Sequence, residues 1–230
     1  MQLHKIKAHF EAFERWLRTP AAEQRLHYWE TQAYWQTHWD AERFDLDQVY
    51  DACLQNSTTK RIWKRPAYEP KRMMLQFIAL DAHFVHSMFQ DLFNEEKDAH
   101  ARVDRFIFYC DQLLLQYRKA KPTAIDTGHY HDDGYEIVSF YLSCQYPNRY
   151  APYQAERFLE LLHCVGAANI PSSGDFPRHL KVMRTLQTLL NKEESLLAAH
   201  RARLRPEHYQ GDSYLLAFDF ACFVTGMDAL

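Results

Sequence analysis

Apolar residues return along this chain mostly at intervals of three and four, the period of an α-helix with one face turned inward. Ile6, Phe10, Phe13 and Leu17 draw the first stripe. Thr19-Pro20 then reads as an N-cap followed by proline at the first helical position, opening a second helix that carries Tyr28, Trp35 and Trp39. Asp45 with Gln48 makes a capping-box-like start for a third, with Leu46, Val49, Cys53 and Leu54 apolar. The pattern breaks over residues 56–70. It resumes at Lys71 with Met73, Met74, Phe77 and Ile78, and again after Asp81 with Phe84, Val85, Met88, Phe89 and Leu92. The longest predicted helix runs from about Glu96 to Lys119 along Val103, Phe106, Cys110, Leu113, Leu114 and Tyr117.

Lys121-Pro122 through Gly134 is predicted as a loop and is the best candidate for a subdomain seam at 121–134. Beyond it, Ile137, Val138, Tyr141 and Leu142 mark a short buried helix that stops at Tyr146-Pro147, because the residue before proline is biased away from helix. Phe158, Leu161, Leu162 and Val165 predict the next, with Gly166 as its C-terminal cap. A turn-rich connector over Asn169–Asp175 follows. Then come stripes through Leu180, Met183, Leu186, Leu189 and Leu190, through Leu196, Leu197, His200 and Leu204, and from Asp212 through Phe223. Alternating stretches do not exceed four or five residues, and no internal repeat is present. The expectation is all-α: one helical domain over residues 1–230, an irregular bundle of about ten helices.

Composition narrows the chemistry. Six glycines in 230 residues leave little room for phosphate-cradling loops. The formal charge of −3 predicts no global attraction to nucleic acid or anionic lipid, so any such binding must use a local patch. Five cysteines, Cys53, Cys110, Cys144, Cys164 and Cys222, stand far apart without a C-x-x-C pair, the usage of a reducing compartment. Four of them have apolar neighbours and are expected to be buried and inert. The N-terminal stretch lacks an apolar core behind its charges, and no apolar run approaches the ~20 residues that span a bilayer. A cytoplasmic location without membrane contact is expected.

Motifs of nucleotide hydrolysis and nucleophilic catalysis are missing. There is no G-x-x-x-x-G-K-[ST], G-x-S-x-G, H-E-x-x-H or Gly-rich dinucleotide fingerprint. The chain is therefore expected not to be an enzyme and to need no cofactor. Thirteen histidines still invite a metal reading. Glu160 and His163 form one E-x-x-H, but di-iron bundles need a second and further carboxylates. His83 and His86 share a helix face with no third ligand near, so packing or surface is expected for them. In His129-Tyr130-His131-Asp132-Asp133, two imidazoles and two carboxylates would suit a divalent cation or acid–base chemistry. The favoured reading is that Asp132 or Asp133 caps the helix beginning near Gly134, and no metal site is assigned.

Lys60 to Arg72 is the one strongly basic segment, with six cations, one acid, and Trp63 and Tyr68 interleaved. Cations neutralise phosphates with release of counterions, and rings stack on unpaired bases. Lys60, Arg61, Trp63, Lys64, Arg65, Tyr68, Lys71 and Arg72 are thus the candidate nucleic-acid contacts; the alternative is a solvated loop whose Trp63 folds back on the core. Arg201, Arg203 and Arg205 form a weaker patch that also suits neutralisation of a helix C-terminus. Tyr146-Pro147-Asn148-Arg149-Tyr150-Ala151-Pro152-Tyr153 is expected to plug an interhelical turn.

The order of segments adds a family reading. Tyr34–Asp40, Tyr68–Phe77, Met88–Glu95, Arg102–Phe106, His129–Asp133, Ser139–Leu142, Tyr146–Tyr153, His200–Leu204 and Leu215–Phe220 follow one another. This succession, over roughly residues 30–224, resembles the helical region ahead of the AAA+ motor in many McrB-like restriction ATPases of bacteria. In such proteins a motor follows and an associated nuclease cuts DNA; the present chain ends at Leu230, before any motor, so motor activity is not expected of it. The resemblance implies a non-enzymatic recognition or assembly module of a DNA-targeting restriction or phage-defence system, meeting nucleic acid through the basic aromatic segment. Two other readings stand: a scaffold that docks an AAA+ motor or nuclease subunit without touching DNA, and a small metal-dependent enzyme at His129, His131, Asp132 and Asp133.

Overall fold

The computed structural model describes residues 1–40, 43, 45–58, 70–131 and 134–226. Among them the secondary structure is entirely helical. The α-helices are α1 (Leu3–Leu17), α2 (His27–His38), α3 (Leu46–Cys53), α4 (Pro70–Leu92), α5 (Ala99–Ala120), α6 (Glu136–Gln145), α7 (Ala155–Cys164), α8 (Phe176–Leu190), α9 (Glu194–Arg203) and α10 (Leu215–Thr225). A 3₁₀ turn, Pro20–Arg25, joins α1 to α2. The expected all-α bundle of about ten helices is what the described residues form.

The buried apolar side chains make one continuous cluster. At its centre lies α6, where every residue from Glu136 to Cys144 is buried. It packs against α2 and α5, while α3 and α4 extend that side. On the other side α10, buried from Leu215 to Cys222, packs on α1, α7 and α8. No helix among the described residues is long and apolar enough to cross a membrane.

An encircled helix must satisfy its polar groups locally. The Ser139 and Ser143 hydroxyls donate to the carbonyls three residues back, each at 2.8 Å. The C-terminal carbonyls of α6, which have no partner within the helix, are taken by side chains of α2. Gln32 Nε2 donates to the Ser143 carbonyl at 2.8 Å and Gln36 Nε2 to that of Cys144 at 2.6 Å. Trp35 Nε1 donates to Gln145 Oε1 at 2.9 Å.

Helix ends follow the sequence in part. Asp98 caps α5 through the Ala101 amide at 3.0 Å, and Asp175 caps α8 through that of Arg178 at 2.9 Å. Gly166 ends α7 as expected, at φ +61°, with its amide donating to the His163 carbonyl and that of Ala167 to Leu162. Thr19, by contrast, caps nothing. Its hydroxyl donates back to the Trp16 carbonyl at 2.7 Å, and the turn after Pro20 is 3₁₀, with α2 beginning only at His27. Asp45 stands at the N-cap position of α3, but its carboxylate is held by Arg43 instead of capping. The two stripes on either side of Asp81 are two helical stretches, as expected: α4 breaks at Asp81, whose backbone is non-helical at φ −155° and whose carboxylate caps the second stretch through the Phe84 amide at 2.9 Å. The head of α6 also differs from expectation: its N-cap position is Tyr135, in the left-handed region at φ +69°, while Asp132 and Asp133 lie outside the described residues.

Two charge clusters, the second of them centred on a buried carboxylate, tie distant elements. Glu95, between α4 and α5, pairs with Arg102 and Arg149 at 2.7 Å each and accepts the Tyr150 hydroxyl at 2.8 Å. Burial would raise its carboxyl, but the bonds from Arg149, Tyr150 and Arg102 outweigh that and hold it below the usual range. The tyrosines of the 146–153 connection thus act as the expected plug, with Tyr146 Oη also donating to the Phe93 carbonyl at 2.6 Å. In the second cluster Asp219, 1% exposed, pairs with Arg203 at 2.5 Å and Arg25 at 2.9 Å. Arg203 also donates to the Ala22 carbonyl at 2.9 Å and lies over the Trp29 ring. The Arg201–Arg205 group is therefore no cationic patch: Arg203 is buried in this pair, and Arg205 meets Glu23 at 2.7 Å.

Burial also fixes protonation. Cys53, Cys110, Cys144 and Cys222 are buried as expected, and burial pushes the Cys53 and Cys222 thiols up to about 12. Burial, with Arg203 and Arg201 close by, depresses His200 to about 3; burial alone does the same to His179, despite its contact with the Ala151 carbonyl.

Asp219→Asn leaves Arg203 without its buried counter-charge and is expected to cost about 3–5 kcal/mol in urea unfolding. Because His179 and His200 fold as neutral rings, the unfolded chain binds the extra protons. Stability is full above about pH 6.5 and falls as pH drops toward 3, by about 1.4 kcal/mol per pH unit for each ring. Urea midpoints measured between pH 7.5 and pH 4.5 check this, and each His→Gln variant that still folds should flatten the slope.

Candidate functional site

Of the basic aromatic segment, Lys60, Arg61, Trp63, Lys64, Arg65 and Tyr68 lie outside the described residues. Lys71 and Arg72 open α4, and both are engaged within the chain. Lys71 Nζ meets Asp51 Oδ1 at 2.8 Å and the Asp51 carbonyl at 3.1 Å, with 12% of its side chain exposed. Arg72 pairs with Asp126, whose carboxyl it holds below the usual range. On the other flank, the amide and hydroxyl of Ser57 donate to Glu30 Oε2 at 2.8 and 2.7 Å.

Asp126 belongs to the loop between α5 and α6, and this loop is bound at several points. Lys121 Nζ reaches Gln76 at 2.6 Å, Tyr117 Oη donates to Asp126 at 3.2 Å, and Arg118 holds the Thr127 carbonyl. The chain then dives inward, leaving His129 and His131 2% and 1% exposed. Tyr130, between them, takes φ +63°, which lets alternate residues on either side turn toward the core.

The two imidazoles are organised by their partners. His129 Nδ1 accepts the His131 amide at 3.1 Å, so its Nε2 carries the proton and donates to Asp111 Oδ1 at 3.1 Å. His131 Nδ1 donates to the His129 carbonyl at 2.6 Å, leaving Nε2 to accept the Tyr141 hydroxyl at 3.2 Å. Tyr50 Oη lies 2.7 Å from Tyr141 Oη, which continues the chain of bonds to α3. A buried polar line thus crosses the bundle from Tyr50 to Asp111, whose side chain is 59% exposed on α5. Burial, then the neighbouring His129, lowers His131 to about 3, and burial drives the Tyr50 and Tyr141 phenols well up.

Cys110 joins this cluster from α5. Its sulfur and one nitrogen from each of His129 and His131 all lie within 4.8 Å of one another, and all three residues are buried. Sequence spacing had placed His129 and His131 together but left Cys110 as one more member of an apolar stripe. The signal in the sequence is the H-x-H pattern itself, which keeps the two imidazoles close along the chain. Of the other metal readings, Glu160 and His163 face solvent on α7, and His83 is exposed on α4.

Two clefts open at the surface. One, about 500 Å³, is lined by His100, Tyr135, Tyr153 and Phe176, with Asp175 at its edge. The second, about 400 Å³, lies beside Ser57 and Thr58 and combines His27, Arg205 and His208 with Glu23, Glu30 and Glu207. Its mixed charge gives it no clear preference for an anion or a cation.

Comparison with known proteins finds no family model that matches the chain, and no curated protein or solved structure that matches it.

Tyr141→Phe removes the hydroxyl that joins Tyr50 to His131 and leaves both without that buried partner. It is expected to cost about 1–3 kcal/mol in urea or thermal unfolding. An unchanged midpoint would show that the buried line adds nothing to stability.

Proposed function

We propose that this domain is a non-enzymatic recognition and assembly module of a McrB-like DNA-targeting restriction or phage-defence system, and that it meets nucleic acid through residues 60–72. The observation that carries this reading is the concentration of six cations and two aromatic rings in that segment of a chain whose net charge is −3. The ordered succession of segments from Tyr34 to Phe220 supports the system. The flanks of the segment are anchored, Ser57 on Glu30 and Lys71 on Asp51. With Lys71 and Arg72 engaged by Asp51 and Asp126, the phosphate contacts fall to Lys60, Arg61, Lys64 and Arg65, and the stacking to Trp63 and Tyr68.

A scaffold reading is supported by a different observation. Phe108 and Leu115 stand seven residues apart on the outer face of α5, 55% and 51% exposed, and Ile125 on the next loop is 93% exposed. Apolar side chains so placed suit the docking of an AAA+ motor or nuclease subunit.

Fluorescence anisotropy with single- and double-stranded DNA, titrated against salt, separates the two. Replacing Lys60, Arg61, Lys64 and Arg65 together with Ala should weaken binding at least tenfold and reduce the log–log salt slope by roughly 3 to 4. Equal affinity for the variant and the parent would remove the segment from the reading. No DNA binding at all, with a motor or nuclease subunit captured through Phe108 and Leu115, would favour the scaffold.

A further inference from the structure

We propose that Cys110, His129 and His131 form a structural zinc site that staples the loop between α5 and α6 to α5. This inference stands apart from the function proposed above, since it concerns how the bundle is held and not what it meets.

The donor set comes first. One thiolate and two imidazoles suit zinc, a borderline-soft cation, and do not suit magnesium or calcium, which take oxygen ligands. The three donor atoms converge within 4.8 Å while their backbones come from two separate elements, α5 and the 121–134 loop. Around a tetrahedral zinc, with bonds of ~2.0–2.3 Å, donors sit roughly 3.5 Å apart. Closing the cluster needs a shift of roughly 1 Å in side chains that hang partly on a loop.

The second observation is independent of that convergence. Metal-bound histidines hold their other ring nitrogen on a carboxylate or a backbone carbonyl, which fixes tautomer and orientation. Both patterns are present here. Asp111 Oδ1 receives His129 Nε2–H at 3.1 Å, and the His129 carbonyl receives His131 Nδ1–H at 2.6 Å. These bonds leave His129 Nδ1 and His131 Nε2 as the unprotonated nitrogens, the ones a metal would take. Zinc would replace two modest contacts, the His131 amide on His129 Nδ1 and the Tyr141 hydroxyl on His131 Nε2. Each is a single neutral hydrogen bond, weak beside the metal–ligand bonds that would take its place. The Tyr141 hydroxyl, set beside His131 Nε2, is the protein oxygen that closes the fourth position. Cys110 gives up its proton to solvent as zinc binds, and both imidazoles enter neutral.

Burial assigns the site a structural role. All three ligands are buried, so a substrate has no approach to the metal. This distinguishes the site from a hydrolytic centre built on His129, His131, Asp132 and Asp133, which would need an open coordination position.

The test uses the full chain. After purification without chelator, elemental analysis should find one zinc per chain, and apo-protein titrated with cobalt(II) should develop a thiolate-to-cobalt charge-transfer band with tetrahedral visible bands. Cys110→Ser should abolish the charge-transfer band, whereas Cys164→Ser should leave it intact. Asp111→Asn offers a second route: the Asn side-chain oxygen can still accept His129 Nε2–H, so the fold is kept while the carboxylate charge is lost. It should weaken zinc affinity about 10–100-fold while leaving the apo melting temperature unchanged. Folded, helical wild-type protein that gives no cobalt–thiolate band would overturn the proposal, as would zinc affinity indifferent to both Cys110→Ser and Asp111→Asn.

Discussion

A helix surrounded by protein on every side sets the terms for this structure. Residues Glu136 to Cys144 of α6 have no solvent face, so the carbonyls left over at its C-terminal end cannot be hydrated. Those of Ser143 and Cys144 are paired because α2 arrives with Gln32 and Gln36 one turn apart, and Trp35 holds the Gln145 side chain beside them. That demand fixes the orientation of α2. Gln32 then reaches beyond α6, its side-chain oxygen accepting the Ser213 hydroxyl at 2.9 Å, next to the start of α10. One hydrogen-bonding requirement therefore couples the two all-buried helices and, through them, the two halves of the bundle. The ion pair of Asp219 with Arg203 and the half-buried Arg25 performs a similar service between α9, α10 and the 3₁₀ turn, at the cost of burying Asp219 and Arg203 together.

Much of this was legible in the sequence because burial selects side chains with a helical period. The stripes Ile6-Phe10-Phe13-Leu17 and Val103-Phe106-Cys110-Leu113 are the buried faces of α1 and α5. What failed was capping chemistry. Thr19 and Asp45 have the right side chains in the right places, yet each found a stronger local partner, a carbonyl three residues back and an arginine two residues before. Composition cannot rank such competitors, since a hydroxyl or carboxylate bonds whichever neighbour the backbone brings closest.

The candidate sites show a different limit. His129 and His131 sit between Pro122 and Gly134 in a polar stretch that reads as surface, so their burial had no local signal. It follows from bonds made far along the chain, Arg72 to Asp126 and Lys121 to Gln76, which press the loop against α4. Arg203 misled in the opposite sense, because two arginines beside it disguised a core residue as part of a cationic patch. In each case the deciding partner was distant in sequence, and a charge or an imidazole takes its meaning from that partner.

The packing of α1 carries one more consequence, for how the chain comes to be folded. Phe10 and Phe13 bury themselves against Phe220, with ring centroids 5.0 and 5.5 Å apart, and Trp16 against Phe223. These partners are translated some two hundred residues later. While the ribosome works through the intervening helices, the apolar stripe of the first helix has nothing to cover it. Nascent chains of this protein therefore pass through a long interval with an exposed aromatic ridge, the kind of surface that holding chaperones bind, until α9 and α10 dock on it.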